Sequence, residues 1–203
     1  MTTVATGAAK NQFWQRIKKE TTAQHRAAEN AALSAAIMQQ EVDLKDYIVY
    51  LRCMLDIALF YERQIFPGLQ QMIPDIDRRK KSHFLISDLE FFGEDPARGI
   101  NSFFLPPTTS VARLTGYAYV HEGSTLGGMM IYKHLAGRLG LSPEKGGSYF
   151  TCYGNATGAM WKEFLDLMGT CSLYGNNGDE IVEGARIAFD AIGLRLRGGA
   201  TAP

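Results

Sequence analysis

The stretch GYAYVHEGSTLGGMMIYKH, residues 116–134, decides how the chain folds. It holds Gly116, Gly123, Gly127 and Gly128. No strand precedes it and the glycine spacing is wrong for a dinucleotide-binding turn. Its polar flanks exclude a membrane dimer motif. What remains is one long helix over 109–140. Each glycine inside a helix costs about 0.8–1 kcal/mol relative to alanine. Gly116, Gly123 and Gly127 stand at i, i+7 and i+11, which is one face at 3.6 residues per turn, and Gly128 adds a second glycine at the same level. Two readings fit this pattern. The glycines let another helix pack closely, or they bare a bendable stripe against which something flat or bulky lies.

The remaining sequence is helical in its periodicity. Residues 11–29 place Phe13, Ile17, Thr21, His25 and Ala28 on one stripe. A second helix spans 43–66, capped by Asp43 and ended by Pro67 and Gly68. Further helices are expected over 76–91, 146–169 and 178–197, with GEDPARG and LPPTT as loops. No segment alternates with period two, so no sheet is expected. The fold class is all-α, a single domain of about six or seven helices around one core. Residues 1–10 read as a flexible N-terminus, 11–197 as the helical domain and 198–203 as a flexible tail.

Composition narrows the function. The chain has 203 residues, with 21 basic side chains balanced by 21 acidic ones. That balance argues against a nucleic-acid binder and against electrostatic docking on a membrane. No apolar run approaches the roughly 18 residues a spanning helix needs, and no secretory leader is evident. Cys53, Cys152 and Cys171 form no CxxC pair, and an odd count suits a reduced, cytoplasmic compartment. All three read as structural.

His25 lies in IKKETTAQHRAAEN, residues 17–30. By default it is a core histidine. Two neighbours favour a ligand. Glu29 at i+4 can support the imidazole, as metal-bound histidines usually donate their other N–H to a carboxylate, carbonyl or water. Lys18, seven residues earlier, lies on nearly the same face about 10.5 Å along the axis. His83, His121 and His134 are weaker candidates, with His83 and His134 assigned to the surface and His121 pointing away from the glycine face. The run Arg78–Lys81 reads as solvated surface, or as a docking patch for an acidic redox partner. His25 and the glycine stripe together suggest a planar macrocycle such as heme held between two helices.

At this point the residues resemble the heme oxygenase family. IKKETTAQHRAAEN is similar to its proximal-helix motif, and YVHEGSTLGG, residues 119–128, to the distal-helix motif of its bacterial branch. YFTCYGNATGAMWKEFLDLM, residues 149–168, extends the likeness, which runs from about residue 12 to 195. The match is closest to the enzymes that supply biliverdin to bacteriophytochromes. The resemblance implies His25 as the iron ligand, Glu29 behind it, and Thr21 and Ala28 beside the macrocycle. Lys18 and Tyr119 would meet the propionates, with Lys162 near the same edge and Phe189 on the ring. Gly123, Ser124, Gly127 and Gly128 would form the catalytic distal wall. Animal enzymes carry an aspartate where this chain has Ser124, and a basic residue where it has Asp166.

The implied reaction opens heme, both substrate and cofactor, to biliverdin, carbon monoxide and ferrous iron. It uses O2 and electrons from an external ferredoxin or reductase. The product would pass to a bacteriophytochrome. A non-catalytic heme carrier or sensor of the same fold is the alternative. A di-iron oxidase is disfavoured because no Glu-x-x-His pair is present. A thiaminase-like hydrolase lacks an acidic partner for any cysteine.

Overall fold

A computed structural model describes residues 2–98 and 103–198. The all-helical expectation holds. Among the described residues there is no strand, only isolated bridges from Ser142 to Lys145 and Gly146 within a turn. The chain runs through α1 (Thr2–Glu20), α2 (Thr22–Glu29), α3 (Ala32–Ala36) and α4 (Leu44–Phe60). It continues through α5 (Phe66–Leu69), α6 (Ser82–Phe91), α7 (Val111–Leu139), α8 (Thr157–Cys171) and α9 (Asn177–Arg197). No helix among the described residues is long and apolar enough to cross a membrane. Of the tail read over 198–203, residues 199–203 lie outside the described residues.

Several boundaries differ from the sequence reading, each for a local reason. The first helix begins at Thr2 rather than at residue 11 and is broken at Thr21. There the Thr21 hydroxyl donates to the Ile17 carbonyl at 2.7 Å and the Thr22 hydroxyl to Lys18 at 2.7 Å. Such back-bonding competes with the helical ladder and bends it. The bend gives α2, which carries His25, its own direction.

Asp43 caps α4 as expected, its carboxylate accepting from the Lys45 amide at 2.9 Å. Pro67 and Gly68 do not end that helix. A wide π turn over Tyr61–Ile65 shifts the register, and Pro67 falls in the first turn of α5, where a missing N–H is harmless. The helix expected over 76–91 divides into a 3₁₀ turn, Ile76–Arg79, and α6. The one expected over 146–169 becomes two 3₁₀ turns followed by α8.

The long glycine-bearing helix forms as read. Ser110 caps α7, accepting from the Arg113 amide at 3.2 Å, and Gly140, at φ +66°, ends it in the left-handed region. α7 packs most extensively on α9. A Cβ on Gly116 would stand 2.1 Å from the Ile181 carbonyl oxygen, and one on Gly184 would stand 2.5 Å from that of Arg113. These glycines bring the two backbones into contact, so close packing accounts for the first glycine of the stripe. α2 also packs on α9 and has no extensive contact with α7. α2 and α7 thus both rest on α9 without packing extensively on each other, and the space between them over α9 is the candidate cleft.

Candidate functional site

Along α2, His25 projects from the turn after the Thr21 bend, and its side chain is 53% exposed. Its Nδ1 lies 3.3 Å from a Glu29 carboxylate oxygen. That contact suits the tautomer with hydrogen on Nδ1, which would leave the Nε2 lone pair for a metal. The ring also meets Phe189 of α9 edge-on, with centroids 5.2 Å apart. Thr21 is buried and Ala28 partly so. The Ala28 backbone sits 3.4 Å from where a Cβ on Gly193 would lie, so this glycine lets α2 settle on α9.

An aromatic chain links His25 to α7. Phe189 meets Tyr119 at 6.5 Å, and Tyr119 meets Trp161 of α8 at 5.6 Å. The Trp161 ring lies 3.4 Å from the position of a Cβ on Gly123. Burial raises the Tyr119 phenol above its ordinary range. Trp161 was not singled out from sequence. Its signal was only an aromatic residue beside Lys162 in MWKEF.

The glycines of α7 have different neighbours. Gly123 is covered by Trp161, Gly128 lies against Phe150 at 3.5 Å, and Gly127 has nothing within 4 Å. Of these three, Gly127 alone presents bare backbone to open space, flanked by exposed Leu126 and Met130. The Ser124 hydroxyl donates to the His121 carbonyl and the Thr125 hydroxyl to that of Glu122, both at 2.7 Å. Beside them is a cavity of about 20 Å³ lined by Ser124, Thr125, Gly128, Tyr149, Phe150 and Cys152. That is room for about one water.

Lys18 and Lys162 are exposed and make no ion pair among the described residues. Asp166 instead pairs with Lys10 at 2.7 Å. His83 is exposed, whereas the partly buried His134 meets the Gln39 carbonyl through its ring at 2.9 Å. His121 is buried and stacks on Tyr61 at 4.6 Å. Burial holds its pKa well below the ordinary histidine value.

The reading of Arg78–Lys81 as solvated surface is corrected. Arg78 is exposed, but Arg79 and Lys81 are almost wholly buried. In the 3₁₀ turn, residues i and i+3 eclipse, so Arg79 follows Ile76 into the core. Arg79 pairs with Glu122 at 2.6 Å, and Lys81 approaches the same carboxylate at 3.6 Å.

Fold and site together define an all-helical protein with one supported imidazole set across an aromatic floor from a bared helix turn. The family model for heme oxygenase matches residues 104–193. Heme oxygenase from Leptospira interrogans is 17% identical, with a TM-score of 0.74 over 91% of this chain and 98% of that one. Heme oxygenase-1 from the cyanobacterium Synechocystis sp. PCC6803, solved in complex with heme, is 15% identical. Its TM-score is 0.72 over 91% of this chain and 90% of that one. No curated protein matches in sequence. The chain has the heme oxygenase fold, and its resemblance to that family is matched by the family model over residues 104–193.

Proposed function

We propose that the protein is a heme oxygenase, opening heme to biliverdin, carbon monoxide and ferrous iron with O2 and external electrons. The carrying observation is His25, whose Nδ1 is engaged by Glu29 while Nε2 has no partner among the described residues. A neutral imidazole backed by a carboxylate is a fitting donor for heme iron. The rest of the cleft supports the same reading. Phe189 and Tyr119 offer apolar ring surface, Gly127 offers open backbone, and Lys18 and Lys162 are free to meet two carboxylates.

When bound, heme supplies the redox chemistry, and the protein supplies position and electrostatics. His25, supported by Glu29, would hold the iron. Gly127 would leave room opposite it without a side chain in the way. Ser124 and Thr125 hold hydroxyls beside the small cavity, where a single water could relay a proton. An external ferredoxin or reductase docks on a basic rim that includes exposed Lys18, Lys19 and Lys162, and the biliverdin passes to a bacteriophytochrome.

The test is a heme titration of the wild type and of His25→Ala, followed by reductant, oxygen and product chromatography. The wild type is expected to lose its Soret band and yield biliverdin, and the variant to show an altered heme spectrum and no turnover. A Soret band stable over many equivalents of reductant would identify a carrier instead.

A further inference from the structure

Behind the cleft, Arg79, Lys81 and Tyr153 converge on one carboxylate. Glu122, immediately before Gly123, is 2% exposed and accepts from Arg79 at 2.6 Å and from the Tyr153 hydroxyl at 3.0 Å. The Lys81 ammonium, fully buried, lies 3.6 Å from Glu122 and donates to the His121 carbonyl at 2.5 Å. Arg79 reaches α8 through the Met160 carbonyl and Glu163, both at 3.3 Å. The Lys81 amide is itself held by Glu62 of the π turn at 2.8 Å.

The cluster sits where α7 is least able to hold itself. Glycines at 123, 127 and 128 offer no side chains to interlock with neighbours. Ser124 and Thr125 turn their hydroxyls back onto the helix, which weakens a regular ladder. Buried ion pairs add little stability over apolar packing, yet their directional bonds fix geometry; of the Arg79 guanidinium, Nη1 and Nη2 make such bonds while the buried Nε has no partner. Here two cations and a phenol grip the last side chain and the last-but-one carbonyl before the bare turn.

We infer that Lys81, Arg79 and Tyr153 are positioning residues that fix the Gly123–Gly128 turn of α7 from behind and so set its height over the cleft. The grip is a property of the protein alone. Its consequence for the product isomer rests on the heme oxygenase reading.

The experiment is amide hydrogen exchange on ligand-free Lys81→Met and Tyr153→Phe, the latter removing one oxygen and preserving the fold. Exchange across 119–130 is expected to rise about tenfold in Lys81→Met, the factor given by one charge-assisted bond lost from a local opening. Exchange in α2 and α9 should stay at wild-type values. Tyr153→Phe should raise the same segment by a smaller factor. In the heme-loaded variants, the Soret titration should match wild type within about twofold while the ratio of biliverdin isomers broadens. Unchanged exchange over 119–130, or a rise spread evenly over the chain, overturns the inference. A wild type that binds no heme sinks the proposed function, and the exchange data still judge the grip.

Discussion

His25 and Phe189 meet edge to face, their ring planes at 77° and their centroids 5.2 Å apart. The contact ties the imidazole on α2 to the floor of the cleft on α9. With Glu29 on Nδ1, it leaves the ring little freedom to rotate. Glu29→Gln keeps the shape of the support and removes its charge. Heme affinity should fall about tenfold or more, as for other carboxylates behind a metal-bound histidine. Absorption titration measures this, and an unchanged affinity would remove Glu29 from the ligand system.

Two glycines of α7 should respond oppositely to alanine. In Gly116→Ala the new methyl meets the Ile181 carbonyl at 2.1 Å, and α7 must part from α9. Overpacking of this kind costs about 1–3 kcal/mol, or about 2–4 °C of Tm per kcal/mol at this size. Gly127→Ala meets nothing within 4 Å and should gain up to about 1 kcal/mol of helix propensity. The same methyl enters the cleft, so the rate or the product isomer should change. Thermal melts of both variants with product chromatography of the second decide the matter.

Acid should weaken the fold through His121. Burial, and then the nearby Lys81 charge, lower its folded pKa well below 6.5. The unfolded chain therefore binds a proton more readily. Stability is fully present above about pH 6.5 and falls as pH drops below it, by up to about 1.4 kcal/mol per pH unit for one proton. His121→Phe, which keeps a ring against Tyr61, should flatten this part of the profile. Urea unfolding between pH 5 and 7.5 tests the sign. An unchanged slope would assign the acid response to other groups.

Asp88 of α6 should prove a structural pin for the wall of the small cavity. Its carboxylate accepts from the Ser148 amide at 2.8 Å, the Ser148 hydroxyl at 2.8 Å and the Tyr149 amide at 2.9 Å. Asp88→Ala leaves these buried donors without a partner, at about 1–3 kcal/mol for an unsatisfied group. Denaturant midpoints measure the loss, and His25-dependent heme binding should survive it.

What sequence could reveal followed from local spacing. His25 and Glu29 are one helical turn apart, so their partnership is visible in the chain itself. The absence of period-two alternation was enough for the all-helical class. The bend at Thr21 was hidden because an uninterrupted apolar stripe runs through it, while the cause lies in two adjacent threonine hydroxyls. Arg79 and Lys81 looked like solvent-facing charge, since their partner Glu122 is far along the chain and no periodicity joins them. The glycine stripe was legible as a pattern but not as a division of labour. Which glycine meets α9, Trp161, Phe150 or open space depends on elements distant in sequence.

The last helix imposes an order of events on synthesis. α9 supplies the floor of the cleft, crosses α7 at Gly184, and holds α1 through Arg186, which donates to the Glu20 carboxylate at 3.0 Å. These partners emerge from the ribosome long before it does. A nascent chain that ends before residue 177 can form α2 and α7 as helices, yet lacks the helix on which both rest. The faces that meet over α9 are thus joined only by a segment made after both of them.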